Sequence, residues 1–149
     1  MSVARMPRFQ MTRPTNFNLP DRVDTKVPFT TVTYNGPTGA FTVPGGSIVT
    51  VNWTGLYMIR ASVEFGNPAF PWKFAGVSVY IDGAFDDWIA GAYGLDITVT
   101  RLNGTTYKQL TKGQNIAIWA YQAQTTGDPI ATMAGDAFTS VDVVFMDKV

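Results

Sequence analysis

Residues 56–65 alternate strictly. Tyr57, Ile59, Ala61, Val63 and Phe65 fall in one register, and Met58, Arg60, Ser62 and Glu64 in the other. Period-two alternation over nine residues predicts a strand with one face in a core and one facing outward. A helix would need recurrence at three and four, which Tyr57, Ile59 and Val63 do not supply. This run is expected to be the central strand of an all-β module.

Similar signals flank it. Residues 23–34 are β-branched and aromatic, with Val27, Phe29, Thr31 and Thr33 on one face, and Pro28 predicts an edge or bulged strand. Residues 35–39, NGPTG, are a turn. Residues 41–43 and 48–51 are short strands on either side of Pro44-Gly45-Gly46. Residues 73–81 place Val77, Val79 and Ile81 inward, ahead of an Asp82-Gly83 hairpin turn. Residues 95–102 alternate again, Asn103-Gly104 reads as a type I′ turn, and 107–110 is a short strand before the Lys112-Gly113 turn. Residues 115–122 are apolar on both faces, so this strand should be covered twice. Residues 137–146 close the chain with Val141, Val143 and Phe145 alternating. In residues 84–94, Phe85, Trp88, Ile89 and Tyr93 sit at near-helical spacing, yet Gly91 and Gly94 oppose a helix; an irregular segment with a short strand is expected. Residues 66–72 and 125–136 read as loops. The sum is about eight to ten short strands in one domain, the profile of a β-sandwich or jelly roll.

Residues 1–22 read as an extended arm preceding a jelly-roll domain at 23–149. Pro7 should restrict any strand around Phe9 and Met11 to an edge, and Pro14 and Pro20 keep the following stretch extended. Arg5, Arg8 and Arg13 lie here with no acidic residue among them. The arm is either a solvated tail or one that docks on an acidic partner surface.

Composition narrows the chemistry. The chain has 149 residues, 46% hydrophobic and only 15% charged, which opposes disorder and points to surface covered by another subunit. Net charge is zero, so no pull toward nucleic acid or membrane is expected. Cysteine and histidine are both absent, which removes disulfides, thiolate sites, the usual general base and the commonest metal ligand. No apolar run reaches membrane-spanning length, and the opening residues lack a secretory pattern, so synthesis in a cytoplasm is expected. Asp82, Asp86 and Asp87 cluster without calcium-loop spacing and read as a solvated turn or a cation site. Gly45-Gly46 lacks the Lys-Ser or Lys-Thr of a phosphate loop. No catalytic residue, metal or cofactor is assigned, and an enzyme is not expected.

Four segments occur in a telling order: Tyr34 to Pro44 (YNGPTGAFTVP), Thr54-Gly55-Leu56-Tyr57, Leu110-Thr111-Lys112-Gly113-Gln114, and Phe138 to Phe145 (FTSVDVVF). Together they resemble the globular heads of the C1q and tumour necrosis factor superfamily. Gln114 stands where that family usually has Asp, and Ser140 where it usually has Gly. The lead-in Val23 to Phe29 looks more like the C1q-like modules of bacterial viruses.

The resemblance implies a ten-stranded jelly roll that forms a threefold homotrimer through one sheet. Tyr57, Trp119, Tyr121 and Phe145 are the candidates for the trimer interface, or else belong to the chain's own core. Arg5, Arg8, Phe9 and Arg13 are the candidates for anchoring the arm. Phe70, Trp72, Phe85 and Trp88 are loop aromatics expected to bind a ligand or to plug the ends of the sandwich. The resulting expectation is a non-enzymatic structural protein of a phage virion, held by its arm to capsid or tail proteins as a decoration, head fibre or minor tail protein. The alternative is an adhesin whose aromatic loops recognise a host glycan or surface protein.

Overall fold

The computed structural model describes residues 6–13, 15–37, 39–65, 72–93, 100–124, 130–131 and 139–148. Among them are thirteen strands and no helix. In chain order these are β1 (Arg8–Thr12), β2 (Asn18–Leu19), β3 (Thr25–Lys26), β4 (Thr31–Gly36), β5 (Phe41–Gly45), β6 (Ile48–Val51), β7 (Gly55–Phe65), β8 (Trp72–Ile81), β9 (Ala84–Tyr93), β10 (Thr100–Leu110), β11 (Asn115–Gln124), β12 (Ile130–Ala131) and β13 (Ser140–Asp147). One sheet runs β10-β7-β13-β1-β4 and the other β5-β6-β11-β8-β9, with β3 added to β11 and a small β12-β2 pair beside them. The pairings are antiparallel, and sequence-distant strands lie side by side, as in a jelly roll.

The core lies between the sheets. Tyr57, Ile59, Ala61, Val63 and Phe65 of β7 are all buried, as the alternation predicts, and join Val77, Val79, Ile116 and Ile118 of the facing sheet in one cluster. A chain of rings threads it: Phe9 to Phe41 at 5.8 Å, Phe41 to Tyr57 at 6.1 Å, Tyr57 to Phe145 at 5.2 Å and Phe145 to Trp53 at 5.3 Å. The Tyr57 hydroxyl donates to the Trp53 carbonyl at 2.7 Å, so its one polar atom is satisfied inside. Burial pushes the Tyr57 phenol up to about 12, against a smaller lowering from that bond.

Four expectations are corrected. The first is the arm. β1 is an internal strand, between β13 and β4, and Phe9 and Met11 are buried. Pro7 does not restrict it to an edge because it precedes the strand, where its missing N–H is not needed; its carbonyl accepts from the Phe145 N–H at 2.9 Å. Further along, Leu19 is buried, the Gln122 side chain donates to its carbonyl, and Asp21 Oδ1 accepts the Gln124 N–H at 2.7 Å. The boundary at residue 22 therefore does not separate an arm from a domain.

Second, residues 23–34 are not one strand. β3 pairs with β11 in one sheet and β4 with β1 in the other, and buried Val27 and Phe29 mark the crossing between them. Third, β9 is a full strand. Two register shifts against β8, between Val77 and Ser78 and between Val79 and Tyr80, break its alternation and produce the helix-like spacing. Fourth, Asn103-Gly104 lies within β10, which pairs with β7 along its whole length. Gly104 abuts the backbone of Ile89, where a Cβ would collide. The Asp82-Gly83 turn has both residues at positive φ, 51° and 81°, as a type I′ hairpin requires.

Phe9→Ala should lower stability by about 3–5 kcal/mol, because it empties a core position; urea unfolding followed by tryptophan emission measures this. Removing residues 1–12 should abolish cooperative unfolding altogether.

A second expectation concerns alkaline pH. The Tyr57 phenol titrates higher in the folded chain than its ordinary 10.0, so the protonated form favours folding. That contribution is complete below pH 10 and fades as pH approaches about 12. Urea midpoints should fall across this window in the wild type, and fall less in Tyr57→Phe.

Candidate binding surface

The sandwich presents two outward faces of different chemistry. On the β10-β7-β13-β1-β4 face, strand register aligns Tyr107, Met58, Val144 and Arg8 in one row. Met58 and Val144 are half-buried and Tyr107 is 58% exposed. The adjacent row holds Arg60 and Asp142, and Arg8 Nε and Nη2 both donate to Asp142 Oδ1 at 3.1 and 2.6 Å. Arg8, Met58, Arg60, Asp142 and Val144 line an open depression of about 290 Å³. Farther along come Ser62 and Ser140, then Glu64, which accepts Arg101 Nε and Nη2 at 3.0 and 2.7 Å.

The opposite face, on β9, β8 and β11, is paved with rings. Side chains alternate along β8: Ala75, Val77 and Val79 enter the core, while Phe74, Gly76, Ser78 and Tyr80 face outward. Phe74 meets Trp88 edge-on at 5.4 Å, Tyr93 at 5.0 Å and Tyr121 at 5.9 Å. Tyr80 stacks on Trp119 at 4.5 Å and meets Phe85 at 5.8 Å, and Phe85 meets Trp88 at 5.7 Å. Seven aromatic side chains thus form one connected surface across three strands. Its outer edge is open: Tyr93 is 79% exposed, Phe85 50% and Trp88 45%.

Glycine makes this possible. A Cβ on Gly76 would stand 2.5 Å from Trp88 Cζ3 and 2.8 Å from Phe74 Cζ, so both rings close over that position. Ser78 lies in register between Trp88 and Trp119. Ser78 Oγ and Trp119 Nε1 are enclosed and have no protein hydrogen-bond partner among the described residues.

Beside this face the edges of the two sheets are joined. Lys108 of β10 reaches Asp86 at 2.6 Å and Asp87 at 3.3 Å on β9. The Asp86 hydrogen bond is the main cause of a raised Lys108 pKa. Asp82 is engaged elsewhere, accepting the Asn115 N–H at 2.8 Å and the Gln114 side chain at 3.1 Å. Asp82 therefore faces other partners than Asp86 and Asp87, which share Lys108, and no group of potential metal ligands forms among the described residues.

The candidate residues sort as follows. Tyr57 and Phe145 are core residues; their rings are enclosed by the chain's own sheets, which corrects their place at a subunit interface. Trp119 and Tyr121 lie on the outer face of β11 and are half-covered by Tyr80 and Phe74. The second apolar face of residues 115–122 thus already has a cover within the chain. Phe85 and Trp88 stand on strand β9 rather than on a loop, which corrects that assignment. Phe70 lies outside the described residues, as does the side chain of Trp72, the first residue of β8. Among the anchoring candidates, Arg8 is paired with Asp142, Phe9 is in the core, and Arg13 donates to the carbonyls of Thr15 and Pro28 at 2.8 and 3.0 Å. Arg5 lies outside the described residues. Phe74, Tyr80 and Tyr93 were not among the binding candidates read from the sequence, although Phe74 and Tyr80 occupy the register opposite Val77 and Val79.

No family model matches the chain, and no curated protein matches it. Solved structures do. The chain is similar to murine APRIL (TM-score 0.71, 15% identity, 95% of this chain and 100% of that one). It is also similar to Eiger TNF from S. frugiperda (TM-score 0.72, 11% identity, 97% and 96%). A third is the globular domain of zebrafish complement 1qA protein (TM-score 0.62, 10% identity, 96% and 99%). The fold is the jelly-roll sandwich of tumour necrosis factor and C1q-like proteins, as the resemblance implies.

Gly76→Ala should displace Trp88 and Phe74, change tryptophan emission, and cost about 1–3 kcal/mol by overpacking. Lys108→Met should lower stability through neutral pH. Lys108 titrates above its ordinary 10.5 when folded, so its contribution holds below that pH and is lost above it. The gap between wild type and variant in thermal melts should therefore narrow at strongly alkaline pH.

Proposed function

We propose that this chain is a non-enzymatic homotrimeric head, a structural and recognition component of a virion. The observation that carries the trimer is the row Tyr107, Met58 and Val144 on the outer face of the five-stranded sheet, on a fold shared with tumour necrosis factor and C1q-like proteins. Apolar side chains held in register on an outward sheet face gain by being covered, at about 25 cal/mol per Å² of apolar area. The charged Arg8, Asp142 and Arg60 beside them would fix the register of the covering subunit rather than add much affinity. The ring-paved face, on the far side of the sandwich, stays outward as the recognition surface. The virion setting rests on the sequence resemblance to viral C1q-like modules. Because β1 is built into the sheet, anchoring does not fall to Phe9, Arg8 or Arg13.

Light scattering at micromolar concentration should give the mass of three chains, and Met58→Asp with Val144→Asp should give folded single chains. A wild-type mass of one chain would refute the trimer. Mass spectrometry of purified particles should find peptides of this chain; their absence would refute the virion setting.

A further inference from the structure

We infer that the aromatic face of β9, β8 and β11 is a binding site for a neutral glycan, taken up along the exposed edge formed by Tyr93, Trp88 and Phe85. This deepens the recognition role just proposed and rests on that face pointing outward.

Three observations converge on this ligand class. The first is composition. Among the described residues, the outward positions of the paved region hold rings, glycine, alanine and Ser78, and no aliphatic side chain larger than alanine. Protein contact surfaces are also rich in rings but add Met and Arg, and β8, β9 and β11 hold neither. A surface of rings alone suits the C–H faces of pyranose sugars, whose weakly positive hydrogens meet the negative face of an aromatic ring. The second is charge. Along the exposed edge the ring positions of β8 and β9 carry no ionised group; Asp86 and Asp87 are bound by Lys108 beside it, while Lys26, opposite Trp119 on β3, and Asp24, against the Tyr80 hydroxyl at 3.4 Å, stand at the far rim. A neutral surface selects against phosphate, sulfate and sialic acid as the principal contact. The third is polar capacity among the rings. The Tyr93 side chain is largely open, so its hydroxyl is free to bond sugar hydroxyls at the edge, whereas Ser78 Oγ and Trp119 Nε1 are enclosed beneath the rings. Rings with a polar tip at an open edge combine an apolar platform with a hydrogen-bonding group.

The rings also sit on hydrogen-bonded strands, and their mutual contacts fix several of them before any ligand arrives. Little side-chain order remains to be imposed on binding.

The test is a titration of the full chain with neutral β-linked glucose and N-acetylglucosamine hexamers, and with a sialylated oligosaccharide for contrast. Binding is read by tryptophan emission and calorimetry at two salt concentrations, and light scattering is run on every variant. The expected result is saturable binding of a neutral hexamer, insensitive to salt, weakened about tenfold or more by Trp88→Ala and by Tyr93→Ala. Far-UV spectra and mass should stay unchanged. Tyr93, the most exposed ring, serves as the variant least able to disturb the fold. No binding of either neutral hexamer by a folded trimer overturns the glycan inference and leaves the trimer standing. Binding only of the sialylated probe, lost in salt, also overturns it. A drop in mass to one chain in Trp88→Ala or Tyr93→Ala shows the face to be a subunit contact and overturns it as well. A single-chain wild type that still binds the neutral hexamer supports the inference while refuting the trimer.

Discussion

Tyr57 must be buried and hydrogen-bonded at once, and much of the architecture follows from how that is met. The ring needs two sheets around it, and its hydroxyl needs an acceptor that neither sheet ladder has already used. The carbonyl of Trp53, just ahead of β7, supplies it. That bond ties the entry of β7 to the centre of the core, beside Phe145 of β13 and Phe41 of β5. With β7 fixed, every second residue to Phe65 is committed inward, and its other register is left to form the outward face.

The N-terminal strand completes the arrangement. β1 lies between β13 and β4 and sends Phe9 to the same aromatic chain, so the first described residues are structural material. At the far edge, β9 and β10 belong to different sheets but approach closely at Gly104 and Ile89, and Lys108 bridges them. The sandwich is thus pinned at the centre by rings and along one side by an ion triad. Its two broad faces remain to interact with other molecules.

The sequence was legible wherever alternation was clean. β6, β7, β8, β11 and β13 follow directly from period-two patterns, because each sends alternate side chains into the core. It was illegible where geometry departs from period two. The register shifts in β9 moved Phe85, Trp88 and Tyr93 off alternation, so a strand resembled an irregular segment and its rings resembled loop residues. Asn103-Gly104 carries a turn signature, yet its glycine answers a tertiary demand, the nearness of Ile89. The basic, proline-broken start of the chain resembled a tail because an internal strand of five residues carries too little pattern to outweigh its flanks. The candidate surface was half visible: Trp119 and Tyr121 showed as a second apolar face, but only the fold reveals that Phe74, Tyr80 and the β9 rings complete it.

Placing rings on strands rather than on loops has an evolutionary consequence. Loops acquire new specificities by lengthening or shortening, but an insertion into β8 or β9 would shift every following side chain to the opposite face. Change on this surface is confined to exchanging one side chain for another at fixed posts. β9 is the natural place for it, since among the described residues that strand has a ladder partner on one side only and carries the most open rings of this face. Related chains should differ there by substitution while keeping the strand's length.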